Sequence, residues 1–180
     1  VRNTFNLENK GTLIQNNNNN SKHIIDAITS INNHKLITIQ GMAMMGVSGV
    51  AAKTFLTLNR MNISVPFITQ ASSEQTICFA VNQENIGKVK YELEKEFKNE
   101  IDSHMIDKIK ISNDISIITV VGENMLRRCG VAGKIFTILG NHSINIQAIS
   151  QGTSELSISF VVERNLEKIA LRIIHTLLEF

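Results

Sequence analysis

One internal repeat limits the folds open to this chain more than any other feature. Shifting the sequence by 81 positions lays residues 36–81 over 117–162 without a gap, and 18 of 46 positions are identical. The shared residues include Gly41/Gly122, Gly49/Gly130, Lys53/Lys134, Phe55/Phe136, Gln70/Gln151, Ser73/Ser154 and Glu74/Glu155. A repeat of this extent marks a duplicated structural unit. The 180 residues therefore divide into two units of about 70–80 residues each, near the lower end of domain sizes.

The first unit reads from hydrophobic periodicity. Residues 35–40 (KLITIQ) alternate and are β-branched, as a strand requires. A glycine-bearing loop, 41–49, leads into VAAKTFLTLNRM, whose apolar residues recur at helical spacing. Strands follow at 63–69 and 76–81, and Pro66, which lacks an N–H, marks the first as an edge or bulged position. Asn82 is a plausible N-cap for a helix over 84–98, and 105–111 alternates again as a fourth strand. The second unit repeats this with strands 116–121, 144–150 and 156–162 and helices 131–141 and 166–178. The order β-α-β-β-α-β predicts an α+β fold of two ferredoxin-like domains.

The second unit has no fourth strand of its own, whereas 24–31 (IIDAITSI) is a spare strand upstream of the first. An open edge is a liability, so the simplest arrangement gives 24–31 to the second unit; the alternative pairs it with a domain outside this chain. One domain is then inserted in the other: 32–111 forms the first, and 23–31 plus 112–180 the second. Residues 1–22 belong to neither copy: the polar tract NNNNN at 16–20 reads as a mobile linker, and VRNTFNLENKGTLI before it as the tail of something upstream.

Composition removes several function classes. A net charge of +2, from 18 basic and 16 acidic residues, is not that of a dedicated nucleic-acid binder. Phe79 and Phe160, on the third strands, lack the basic and aromatic flanks of an RNA-recognition sheet. The absence of a membrane-length apolar run or signal peptide points to a cytoplasmic protein with no membrane partner. Cys78 and Cys129 have no metal-pair spacing and read as buried apolar thiols. The five histidines show no ligand spacing and read as surface-turn residues, and no nucleophile or phosphate-loop motif occurs. Glu74 and Glu155 read as turn caps or partners of basic residues, Lys53 and Lys134 as solvated or paired. No catalytic residue and no metal site is expected.

The repeated loop is more informative. In each copy a strand ends at a glycine, a second glycine follows, and a helix begins; helix N-termini favour carboxylates. The second strand of each copy ends in Gln70 or Gln151, before an SSE or TSE turn. A glutamine offers donors and an acceptor to a zwitterionic or hydroxylated ligand. A small-molecule pocket between loop and strand end is one reading; glycines that only relieve crowding and glutamines that only cap strands is the other.

The segments GMAMMGVSGVAAKTF, NISVPFITQASSEQTICFAV and NINIQAISQGTSELSISFVV resemble the paired ACT domains of aspartate kinases, especially those fused to homoserine dehydrogenase. The N-terminal VRNTFNLENKGTLI resembles the end of the kinase catalytic domain in that family. The resemblance implies feedback inhibition by a free amino acid, threonine in the bifunctional branch. It places effector contacts at Gln70, Gln151, Gly46, Gly49, Gly130, Ser73 and Ser154. Lysine-sensitive monofunctional relatives tend to carry an acidic residue after ISV, where this chain has Pro66, which disfavours lysine. Arg127 and Arg128 stand where the first unit has Gly46 and Val47, so the two sites need not be equivalent. A homodimer through paired ACT sheets is implied. ATP with Mg and NADPH would serve active sites outside this chain, which needs no cofactor itself.

Overall fold

Two fourteen-residue strands, β1 (Ala27–Gln40) and β4 (Lys108–Val121), form the centre of the molecule. The computed structural model describes Phe5, Asn6, Gly11 and residues 23–179, so the segment read as a catalytic-domain tail and linker lies outside the described residues apart from those three. Around β1 and β4 lie α1 (Val50–Arg60), β2 (Phe67–Gln70), β3 (Thr76–Asn82), α2 (Ile86–Glu96), α3 (Lys98–Asp102), α4 (Val131–Asn141), β5 (Ala148–Gln151), β6 (Ser157–Glu163) and α5 (Glu167–His175). All pairings are antiparallel, in one sheet of order β2-β3-β1-β4-β6-β5.

Both long strands serve both units. The second half of β1 pairs with β3 and with 108–111 of β4. Its first half, 27–31, pairs with 117–121, the part of β4 that also pairs with β6. The sequence reading divided each long strand in two, breaking it near 32–34 and 112–115. The structure joins them because side chains bridge the breaks. Leu36 N–H donates to Ser112 Oγ at 2.9 Å, and Ser116 Oγ to Asn32 Oδ1 at 2.9 Å. Register shifts between Ile31 and His34 and between Lys35 and Ile37 absorb the irregularity, and Asn33 takes a left-handed φ of 59°.

Other boundaries shift less. β2 starts after Pro66, at the sheet edge, and is shorter than the predicted 63–69. Asn82 does cap a helical turn, its Oδ1 accepting the Glu84 N–H at 2.9 Å, but the turn is a tight Gln83–Asn85 that precedes α2. Residues 166–178 resolve into α5 and a closing turn, Thr176–Glu179.

Alternation along the strands builds three cores. Ile37, Ile39 and Phe79 face α1 and α2, meeting Leu58, Leu93 and Phe97. Ile118, Val120 and Phe160 meet Leu139 and Ile174 in the same way. Edge-to-face ring pairs recur 81 residues apart, Phe55–Phe79 at 5.8 Å and Phe136–Phe160 at 6.2 Å. Phe79 and Phe160 are fully buried, so neither offers a ring for base stacking. On the helix-free side Leu36, Phe67, Ala80, Ile115, Ile117 and Val161 form a third core, where the bent sheet brings β2 and β5 close together. Cys78 borders this core half-buried, whereas Cys129 is exposed, against the expectation of two buried thiols.

Candidate functional site

Each unit presents the same loop where its long strand ends. Gly41 and Gly122 share an extended backbone, φ −168° in both. A side chain is excluded there by crossing backbone: a Cβ on Gly41 would lie 2.0 Å from the Met105 carbonyl oxygen, and one on Gly122 2.1 Å from that of Ile24. Farther along, Gly49 and Gly130 are the N-caps of α1 and α4, left-handed at φ 93° and 86°. No side chain caps either helix, and neither first turn holds an acidic residue. The leading N–H groups of a helix have no intrahelical partner, so each loop ends in an unneutralised donor cluster.

In the first unit this cluster opens onto a cleft of about 380 Å³, within the size range of small-ligand sites. Gly46, Ser48, Gly49 and the start of α1 form one wall, Gln70 and Glu74 the other, with Met44 and Ile77 between. Gln70 and Gln151 are the last residues of β2 and β5, paired to Ile77 and Ile158. The structure thus brings Gln70, Gly46 and Gly49 together, while Ser73 sits exposed in the turn beyond and does not line the cleft. Gly130, Gln151 and Ser154 occupy the repeat-equivalent positions of the second unit.

Glu74 and Glu155 do something the sequence reading did not foresee. Among the described residues neither pairs with a basic side chain; each reaches across to the facing loop. Glu74 Oε2 accepts the Gly46 N–H at 3.1 Å, and Glu155 Oε2 the Arg127 N–H at 2.7 Å. Both glutamates are left-handed, φ 58° and 55°, in turns that aim them across the gap. Their identity across the repeat was the available signal. Arg127 is also left-handed, φ 56°, where the first unit has Gly46 at 73°.

Lys53 is paired, with Nζ 2.6 Å from Glu100 Oε1 and 4.9 Å from the Phe97 ring centre; Lys134 is exposed. His142 lies in the turn after α4, its ring Nδ1 2.9 Å from the Ile138 carbonyl. A second, larger cleft of about 520 Å³ lies beside the middle of β1 and β4, lined by Lys35, Asp114, Glu163 and Arg164. Both its cations are already paired, Lys35 with Asp114 and Arg164 with Glu167, which makes it the weaker anion site. Among the described residues no cluster of His, Cys, Asp and Glu could hold a metal, and no helix is long and apolar enough to cross a membrane.

Comparison with known proteins adds an independent line. The ACT domain family matches residues 37–97 and 118–178, about two thirds of the chain. The bifunctional aspartokinase/homoserine dehydrogenase of Haemophilus influenzae is 38% identical over 165 residues, covering 92% of this chain and 20% of that protein. The enzyme of the same name from Buchnera aphidicola is 35% identical over 180 residues, covering 100% of this chain and 22% of that protein. The chain thus spans about a fifth of the length of these relatives. Among solved structures, aspartate kinase from Synechocystis superposes with a TM-score of 0.76 at 26% identity, over 89% of this chain and 28% of that one. Two copies of one βαββαβ unit, sharing their long strands and matched twice by one family, leave a single assignment: the chain belongs to the ACT domain family, as a tandem ACT pair like that of the aspartokinase/homoserine dehydrogenases.

Proposed function

We propose that this chain is the effector-sensing region of an aspartate kinase fused to homoserine dehydrogenase, and that threonine bound at the cleft of the first unit and at its repeat-equivalent position in the second inhibits the kinase. The observation that carries the reading is the uncapped N-terminus of α1 facing Gln70 and Glu74 across a ligand-sized cleft. The α-carboxylate of an amino acid would take the free N–H groups of α1. Its ammonium would meet the Glu74 carboxylate, and a side-chain hydroxyl would exchange hydrogen bonds with the Gln70 amide. Among the described residues Glu74 is the single carboxylate in the cleft wall. A lysine ligand would leave its second ammonium unpaired there, which favours threonine.

The mechanism is linkage. Threonine binding more tightly to an inactive arrangement of the pair shifts the population toward it, and a coupling of about 1–3 kcal/mol gives a 5–150-fold effect. Phosphoryl transfer with ATP and Mg, and hydride transfer with NADPH, would belong to parts of the enzyme outside this chain. A homodimer through ACT sheets completes the proposal.

Titration calorimetry of the 180-residue chain with L-threonine and L-lysine tests the assignment. Saturable threonine heat, weakened by Gln70→Ala or Gln151→Ala, is expected. Saturable lysine binding without threonine binding would instead favour a monofunctional, lysine-sensitive kinase.

A further inference from the structure

The loop that opens the second unit, 122–130, is held by two separate segments. From the β5–β6 turn, Glu155 holds the Arg127 N–H. The loop is also held by 23–26, the segment that leads into β1. Glu123 N–H donates to Asp26 Oδ2 at 2.8 Å, Asn124 Nδ2 to the His23 carbonyl at 2.8 Å, and Asp26 N–H to the Val121 carbonyl at 2.8 Å. Gly122 packs so closely beneath Ile24 that no side chain fits between them. A shift of about 1 Å in 122–124 must therefore carry 23–26 with it or break hydrogen bonds whose working range spans only about 0.5 Å.

The first unit lacks part of this grip. Its equivalent lead-in, 105–107, keeps the close approach at Gly41 and donates Asp107 N–H to the Gln40 carbonyl at 2.9 Å. Met42 and Ala43 stand where the second unit has Glu123 and Asn124, and Ala43 has no side-chain donor to match Asn124. The lead-in also differs in origin: 105–107 comes from α3 inside the pair, whereas 23–26 follows directly on residues 1–22.

We infer that loop 122–130, latched to 23–26 through Asp26 and Asn124, is the contact by which a ligand held at the repeat-equivalent position of the second unit, the α4 N-terminus and Gln151, signals to the chain preceding residue 23. The inference rests on the effector reading above. A ligand seated on the α4 N-terminus and Gln151 bears on the loop between its two grips. Arg127, held left-handed by Glu155, gives that loop a strained conformation to leave. Asp26 and Asn124 are positioning residues in this scheme and need not touch the ligand.

The test uses the full-length enzyme carrying Asp26→Ala with Asn124→Ala, and separately His23→Ala. Basal kinase turnover and threonine Kd should stay within about threefold of wild type. The factor by which saturating threonine lowers kinase turnover should shrink at least about tenfold in the double variant, the order of a typical allosteric coupling. His23→Ala should inhibit normally, because the contact uses the His23 backbone carbonyl. A wild-type inhibition curve in the double variant overturns the inference, as does loss of threonine binding together with inhibition. Failure of the wild-type enzyme to bind threonine would instead remove the effector reading, and this inference with it. Hydrogen exchange separates the two: in Asn124→Ala the Glu123 and Asp26 amides should exchange faster together, and unchanged exchange refutes the latch whatever the effector.

Discussion

Gly41→Ala isolates a purely steric role for a glycine. The backbone there is extended, φ −168° and ψ 128°, so alanine has no conformational penalty. The added Cβ meets backbone on three atoms, Met105 O at 2.0 Å and Ile106 Cα and Met105 C at 2.9 Å. Carbon contacts settle near about 3.5–4.0 Å, so the two chain segments must part by more than about 1 Å. That separation strains two hydrogen bonds, Gly41 N–H to Gln75 O at 3.0 Å and Asp107 N–H to Gln40 O at 2.9 Å. Overpacking costs about 1–3 kcal/mol. Each weakened hydrogen bond adds about 0.5–1.5 kcal/mol, and the lower entropy of the unfolded alanine chain returns about 0.4–1 kcal/mol. The net loss is about 3 kcal/mol, or roughly 6–12 °C in Tm for a chain of this size. Urea unfolding followed by circular dichroism measures it, with Gly133→Ala as control. Gly133 lies in α4 with nothing within 4 Å of an added Cβ, so alanine should stabilise there by about 0.5–1 kcal/mol. A Gly41→Ala midpoint equal to wild type, beside a raised Gly133→Ala midpoint, would refute the crossing-backbone argument.

Three further outcomes can be measured. Arg127→Gly removes a left-handed φ of 56° that costs an L-residue about 1–2 kcal/mol, against a glycine entropy cost of about 0.5–1 kcal/mol; the variant should unfold at slightly higher urea, and a clear drop would contradict the strain. Burial by itself would raise the Glu100 carboxyl, but the hydrogen bond from Lys53, its own backbone N–H and the Lys53 charge outweigh it and hold the group below its ordinary value. The unfolded chain then binds the proton more readily, so this contribution is present above the unfolded value of about 4.3 and is lost as pH falls through it. Glu100→Gln should flatten the decline in stability between about pH 5 and 3, and parallel pH profiles would count against the pair. Burial pushes the Cys78 thiol up, only partly offset by its contact with Thr38, whereas Cys129 is exposed. Iodoacetamide should label Cys129 about tenfold faster or more, read by mass spectrometry of the peptides, and equal rates would sink the argument.

The elements legible in the sequence were those whose positions face a core. Phe55/Phe136 and Phe79/Phe160 are identical because each pair fills the same space beneath a helix. Gly41/Gly122 are identical because backbone crosses backbone there. The long strands were not legible as such. Their middles, Asn32–Asn33–His34 and Ser112–Asn113–Asp114, look like chain breaks, and only the partner strand shows that Ser112 and Asn32 replace ladder bonds. The repeat also runs further than alignment revealed. Residues 24–35 share only Ile25, Asp26, Ile28 and Asn32 with 105–116, too few to extend the match, yet the close approaches at Gly41 and Gly122 obey the same offset. At the site, the glycines and glutamines stood out by type and spacing. The reach of Glu74 and Glu155 did not, because it depends on left-handed turn residues that no sequence pattern marks. Ser73 repeats with its turn and is not among the residues that line the cleft.

The shared strands bear on whether a change at one loop reaches the other. The first loop begins where β1 ends, against 105–107, and those residues lead directly into β4. β4 ends at Val121, against 24–25, where the second loop begins. Each loop therefore sits on the end of one long strand and beside the start of the other. Interiors are close-packed, and such strands shift as units. Ile37 and Ile39 of β1 belong to the first core, while Ile28, on the same strand, packs against the second. A displacement at either loop is thus a displacement of a strand that both cores contain. Under the effector reading proposed above, the shared strands tie the two loops together without a chain of side chains between them.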